Sequence, residues 1–155
     1  KDFVKKLSNR LVNLAWGDRK VRLIGATTFR SLCANCHGGD GKGLAIGGST
    51  MAAPPLVGVK LFQFAEKDNA ARLLLNGLTG PVEGKTYPGE MPSMAGNSDR
   101  WIASVLSYAR YEFGKLHGDK GTPSPIVKQD DVKKIREETK TRNKPWTLAE
   151  LGNKR

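Results

Sequence analysis

Cys33-Ala34-Asn35-Cys36-His37 contains both cysteines of this 155-residue chain and one of its two histidines. Two thiols three residues apart on a helical turn can add to the two vinyl groups on one side of a porphyrin. The adjacent imidazole then reaches beneath the ring to coordinate iron, which is why C-x-x-C-H is the attachment pattern for c-type haem. A bare C-x-x-C carries far less information, because zinc sites and redox dithiols share it. Zinc needs four ligands, and beyond these three the one remaining histidine is His117, with no second C-x-x-C or paired histidines. A thioredoxin-like dithiol needs a βαβ setting, and no such pattern is readable here.

With His37 on one face of the iron, a second strong ligand is expected on the other. The candidates are Met51, Met91, Met94 and His117. Met91 is favoured: it precedes Pro92 in a Gly/Pro loop, where a thioether can be presented to a metal instead of being committed to a helix's core face, and Met is an established haem ligand. Met94 reads as loop packing against the ring edge, Met51 as packing near the attachment site, and His117 as a surface histidine.

These residues need elements to hold them. Residues 23–36 read as a helix that carries the cysteines, with Leu23, Ala26, Thr27, Arg30 and Ala34 at helical spacing. Residues 38–58 are too rich in Gly and Pro for a long helix or a central strand. Lys67–Asn76 is expected to be helical and to stop at Gly77, and residues 78–96 form a second Gly/Pro loop. Ser98 and Asp99 offer a cap for a strong amphipathic helix over residues 100–113, ended by Gly114. Thr122–Pro125 looks like a linker, and residues 129–141 like a charged surface helix. No alternating run long enough for a central strand occurs, so the expected class is all-α. Three modest helices and two long loops make a thin core, and a large apolar cofactor would fill it.

Composition narrows the functional classes. Twenty-six Lys and Arg against fifteen Asp and Glu give +11, with a mean hydropathy of −0.46. No apolar run approaches the roughly 20 residues that would span a bilayer, and no secretory leader is visible at the start. The charge is uneven: residues 1–25 carry +5, residues 26–114 carry +1 and residues 115–155 carry +5. A nearly neutral module over residues 23–114 is therefore expected between basic extensions, 1–22 and 115–155, which pack on it, link it or dock an acidic surface. Nucleic-acid binding is not expected, since aromatic residues do not interleave with the basic ones and no groove-reading motif is apparent.

Over residues 20–114 the pattern resembles a class I cytochrome c. Cys33–His37 is followed by Gly38, Asp40-Gly41 and Gly43, similar to the family's G-x-D-G-x-G run. Ala53-Pro54-Pro55-Leu56-Val57-Gly58 is similar to its G-P-x-L-x-G stretch, with Ala in the first position. Met91-Pro92 and the helix with Trp101, Tyr108 and Phe113 look like its distal loop and C-terminal helix. Residues 75–81 and 144–151 are similar to modules joined to quinoprotein-type dehydrogenases.

The resemblance implies a cytochrome c fold of three or more core helices around one covalent haem c, held by Cys33 and Cys36, with His37 and Met91 as iron ligands. The Pro54 carbonyl would accept from the proximal imidazole, with adjacent Pro55 leaving that assignment open by one residue. The last helix would cross the cysteine-bearing helix closely at Gly25, Ala26, Ala103 and Ala109. Leu56, Phe62, Leu73, Leu74, Trp101 and Leu106 would pack around the ring, and Arg72, Tyr87 and Trp101 are candidate propionate partners by residue type. The implied function is one-electron transfer with a redox partner or a fused dehydrogenase domain, in the periplasm or otherwise outside the cytoplasmic membrane. The alternative is a haem enzyme or gas sensor with an open distal iron position.

Overall fold

The computed structural model describes residues 2–12, 15–57, 67–114 and 126–152. Gly58, Phe62, His117 and the Thr122–Pro125 stretch lie outside the described residues. The chain is mostly helical, with one small two-stranded sheet. Helix α1 (Asp2–Arg10) is followed by α2 (Trp16–Thr28), which runs through a π-helical turn, Phe29–Cys33, into the short α3 (Ala34–His37). Strands β1 (Ala45–Gly47) and β2 (Thr50–Met51) form an antiparallel pair with a bulge between Ala45 and Gly47. Helices α4 (Lys67–Asn76), α5 (Asp99–Glu112), α6 (Gln129–Glu138) and α7 (Leu148–Gly152) complete the order.

Helices α1 and α7 were not expected, and the cysteine-bearing helix differs from its expected bounds. The cysteine-bearing helix starts at Trp16, not Leu23, so the 22/23 division falls inside one continuous helix. Residues 38–58 hold the small sheet; its strands are only three and two residues long, and no residue of either is fully buried.

Helix α5 packs across α2 at the centre of the molecule. Gly25 makes the crossing possible: a Cβ there would stand 1.9 Å from the Ser104 carbonyl oxygen and 2.9 Å from the Tyr108 Cβ. Below the crossing, Phe29, Tyr108 and Phe113 form a ring cluster with centroids 5.0–5.8 Å apart. Leu7 of α1 and nearby Leu11 close over this cluster, both 0% exposed. Burying each is worth about 1.5–3 kcal/mol, whereas the partly exposed Arg10–Glu112 ion pair is worth about 0.2–1 kcal/mol. Apolar packing, not charge, therefore holds the basic N-terminal segment.

The C-terminal segment is built in as firmly. Val127, Val132 and Ile135 share one core cluster with Ala70, Leu74, Ile102 and Leu106. Trp146 and Leu151 share another with Leu73, Leu78 and Val82. Helix α6 is therefore charged on one side and buried on the other, and it ends at Glu138, three residues before its expected end. Ser98 caps α5 by accepting from the Trp101 N–H at 3.2 Å. Asp99, also expected at that cap, instead pairs with Arg136 at 2.7 Å.

Candidate functional site

Cys33 ends the π-helical turn, and Cys36 and His37 occupy the short helix that follows. A π turn holds one residue more than an α turn and is frequent at functional sites. The carbonyls left open at the helix end are satisfied by the glycine-rich loop folding back. Gly43 N–H donates to the His37 carbonyl at 2.7 Å and Leu44 N–H to that of Cys36 at 3.1 Å. Further along, Leu56 N–H donates to the Gly41 carbonyl at 2.7 Å. These bonds turn the loop so that its Pro-Pro segment passes beside the imidazole.

The His37 Nδ1–H donates to the Pro54 carbonyl at 2.9 Å; Pro55 is not the partner. Burial lowers the imidazole's pKa, and the bond to Pro54 opposes that shift without cancelling it. The ring is therefore neutral at neutral pH, with its lone pair on Nε2, the form in which imidazole binds metals. Burial also pushes the Cys33 thiol up to about 11. A redox-active dithiol needs the opposite, a thiol whose pKa has been lowered. Cys36 is exposed and Cys33 half-buried, and neither forms a disulfide.

Around the pentapeptide, Leu32, Leu44, Ile46 and Val57 are 43–56% exposed. Leu44 is tied to the attachment turn by its backbone bond to Cys36, and Val57 to the loop by its bond to Gly41. Among the described residues no three His, Cys, Asp or Glu side chains cluster as a metal site, so a zinc site gains no further donors here.

Met91 and Met94 are both half-buried, and both pack against the cluster built on α4, α5 and α6; Met91 also touches the cluster of Leu73, Leu78 and Trp146. Met91 is fixed through its backbone to Leu78, and Met94 N–H donates to the Leu74 carbonyl at 2.7 Å. The structure therefore presents two anchored thioethers, and the preference for Met91 still rests on the sequence. Met51 lies in β2 with its Cε against Gly43, a packing position.

Of the residues expected around a ring, Leu56, Leu73, Leu74 and Leu106 are buried, but they fall into three separate clusters. Trp101 and Tyr87 pack at cluster edges. Arg72 places its guanidinium on Glu138 and Asn69, so it ties α4 to α6 instead of standing free for a propionate. The sequence reading missed Leu78, Arg136 and Trp146 as neighbours of the Met91 loop. The available signal was the apolar spacing of Val132, Ile135, Trp146 and Leu151 within a charged tail. A scan against protein-family models matched none, and a search among curated proteins found no match.

Proposed function

We propose that this chain is a one-electron carrier resembling the class I cytochromes c, holding one haem c through Cys33 and Cys36 with His37 and Met91 as its axial ligands. The observation that carries the reading is the 2.9 Å bond from His37 Nδ1–H to the Pro54 carbonyl. It fixes the tautomer, turns Nε2 toward a metal and raises the ligand's basicity, directly beside two thiols at thioether spacing. Bound in this way, haem iron supplies a ferric/ferrous couple whose potential the thioether raises relative to two imidazoles.

The chain's residues do the rest. Cys33 and Cys36 would anchor the ring edge, and the exposed apolar side chains of Leu32 and Leu44 near that turn could cover part of it. With His37 and Met91 both holding the iron, no position would remain for O₂ or peroxide. That favours a carrier over a haem enzyme or gas sensor. By the resemblance, attachment takes place outside the cytoplasmic membrane, and the partner is a redox protein or a fused dehydrogenase domain. Among the described residues no helix is long and apolar enough to cross a membrane.

The test is expression with a c-haem maturation system, followed by acid–acetone extraction and a pyridine haemochrome spectrum. The expected result is haem that stays with the wild-type protein and is lost from a Cys33→Ser, Cys36→Ser double variant. Haem that extracts freely from the wild type, or is never incorporated, overturns the reading. High-spin ferric iron that binds cyanide at once would instead favour the open-site alternative.

A further inference from the structure

The segment that looks like a basic tail is tied to the candidate iron ligand through two contacts. Leu78, just after α4, lies between two partners, bridging Met91 on one side and Trp146 on the other. Leu78 N–H donates to the Met91 carbonyl at 3.1 Å, and Met91 N–H donates to the Leu78 carbonyl at 3.0 Å. On the opposite edge, Trp146 N–H donates to the Gly77 carbonyl at 3.0 Å and Thr79 N–H to the Trp146 carbonyl at 2.8 Å. Both backbone groups of Met91 are thus held by one residue whose two neighbours are held by Trp146.

Gly77 lets these strands meet. Its φ is +86°, and a Cβ there would lie 2.5 Å from the Met91 carbonyl oxygen. Trp146 is fixed in turn: it is 4% exposed, its indole N–H donates to Asn76 Oδ1 at 3.2 Å, and the Arg142 guanidinium lies 3.5 Å from its ring centroid.

The second contact is Arg136 on α6. Its Nε donates to Asp99 at 2.7 Å, Nη1 to the Ala95 carbonyl at 2.6 Å and Nη2 to the Asn97 carbonyl at 2.7 Å. Two guanidinium nitrogens therefore hold the stretch between Met91 and α5, and the third holds the first residue of α5. Between Arg136 and Pro145 the chain spans an open groove of about 680 Å³ along Met91, Pro92 and Ser93. The grip is exerted at the two ends.

We infer that Arg136 and Trp146 are positioning residues for the iron ligand: residues 126–152 form a clamp that keeps the Met91 thioether on the metal. The inference rests on the His37/Met91 reading above. In the ferric holoprotein a bound thioether gives a sulfur-to-iron charge-transfer band, which disappears when a stronger base displaces it as pH rises. With the clamp loosened, displacement should be about tenfold easier or more, moving the pH of band loss down by about one unit or more.

The variants are Arg136→Lys, which keeps the charge near Asp99 but loses the fork, and Trp146→Ala. The comparison is Lys67→Met, which removes the 2.7 Å Lys67–Asp131 bridge joining the same α6 to the first residue of α4, at the end away from Leu78. The expected result is a lowered midpoint in the first two and an unchanged one in the third. Equal midpoints in all four proteins overturn the clamp while leaving the ligation reading intact. A wild-type protein with no such band overturns the ligation reading and the inference with it.

Should Trp146→Ala fail to fold, amide exchange in the wild-type holoprotein decides. The Met91, Thr79 and Trp146 amides should open together, with one denaturant dependence. Fast exchange at Thr79 and Trp146 beside a protected Met91 overturns the clamp.

Discussion

His37 shows at the scale of one residue how the chain fixes an imidazole in one orientation. Burial alone would cost an imidazolium its solvation, and the Pro54 carbonyl holds Nδ1–H so that the neutral ring keeps a single orientation. Met91 and Met94 pose the opposite problem, since both are anchored and half-buried. Their backbones are anchored differently. Met91 sits in a two-way bridge to Leu78, the kind of fixed mount that the proposed iron ligand would need. Met94 N–H satisfies the Leu74 carbonyl in α4, and both side chains pack on the core. The Met91→Ala holoprotein should therefore lose the charge-transfer band and show a lowered midpoint potential. Met94→Ala should keep both and lose about 2 kcal/mol in urea denaturation, the low end for a truncated Met. The two assignments exchange places if the band survives in Met91→Ala and vanishes in Met94→Ala.

At the scale of elements, the crossing of α2 and α5 decides where the cysteines and the Met91 loop can stand relative to each other. α2 runs directly into the turns bearing Cys33 and His37, and α5 begins where the Met91 loop ends, so any change at Gly25 displaces both. Gly25→Ala puts a Cβ against backbone, which cannot rotate away. It should cost about 3 kcal/mol in denaturant unfolding; a cost below about 1 kcal/mol would show that the helices separate freely at this point. Helices α4 and α5 were legible in the sequence because local signals mark them: Gly77 as a stop, Ser98 as a cap and apolar spacing from Ile102 to Phe113. Pro54 was legible only through the resemblance, since nothing local says which carbonyl a loop will turn toward a histidine 17 residues away. The start of α2 at Trp16 was missed because Asp18, Arg19, Lys20 and Arg22 look like solvated charge. Arg22 is in fact 1% exposed, with its guanidinium 5.3 Å from the Tyr111 ring centroid. The clamp was missed because it consists of isolated single-residue bridges and one arginine in a charged helix, neither of which leaves a period in a sequence.

Across the whole molecule, the +11 charge changes meaning once the described parts of the extensions are seen to pack into the core. Much of their basic complement is occupied within the chain: Arg10 on Glu112, Arg136 on Asp99 and Arg142 on Glu150. Among the described residues, Lys5 on α1 and Lys133 and Lys134 on α6 are exposed to a partner. If these sites steer an acidic redox partner, association should be long-ranged at low salt and should collapse once the Debye length falls to about 10 Å near 0.1 M. The bimolecular electron-transfer rate should then drop about tenfold or more as ionic strength rises through that range. Lys133→Glu with Lys134→Glu should mimic high salt if the α6 face docks, and Lys5→Glu should do so if the α1 face does. Neither change touches Met91 or the cysteines, so the charge-transfer band should stay in place and separate docking from ligation. A rate that stays flat across the salt series, with both charge-reversed proteins matching the wild type, would remove electrostatic docking and leave the basic segments with structural work alone.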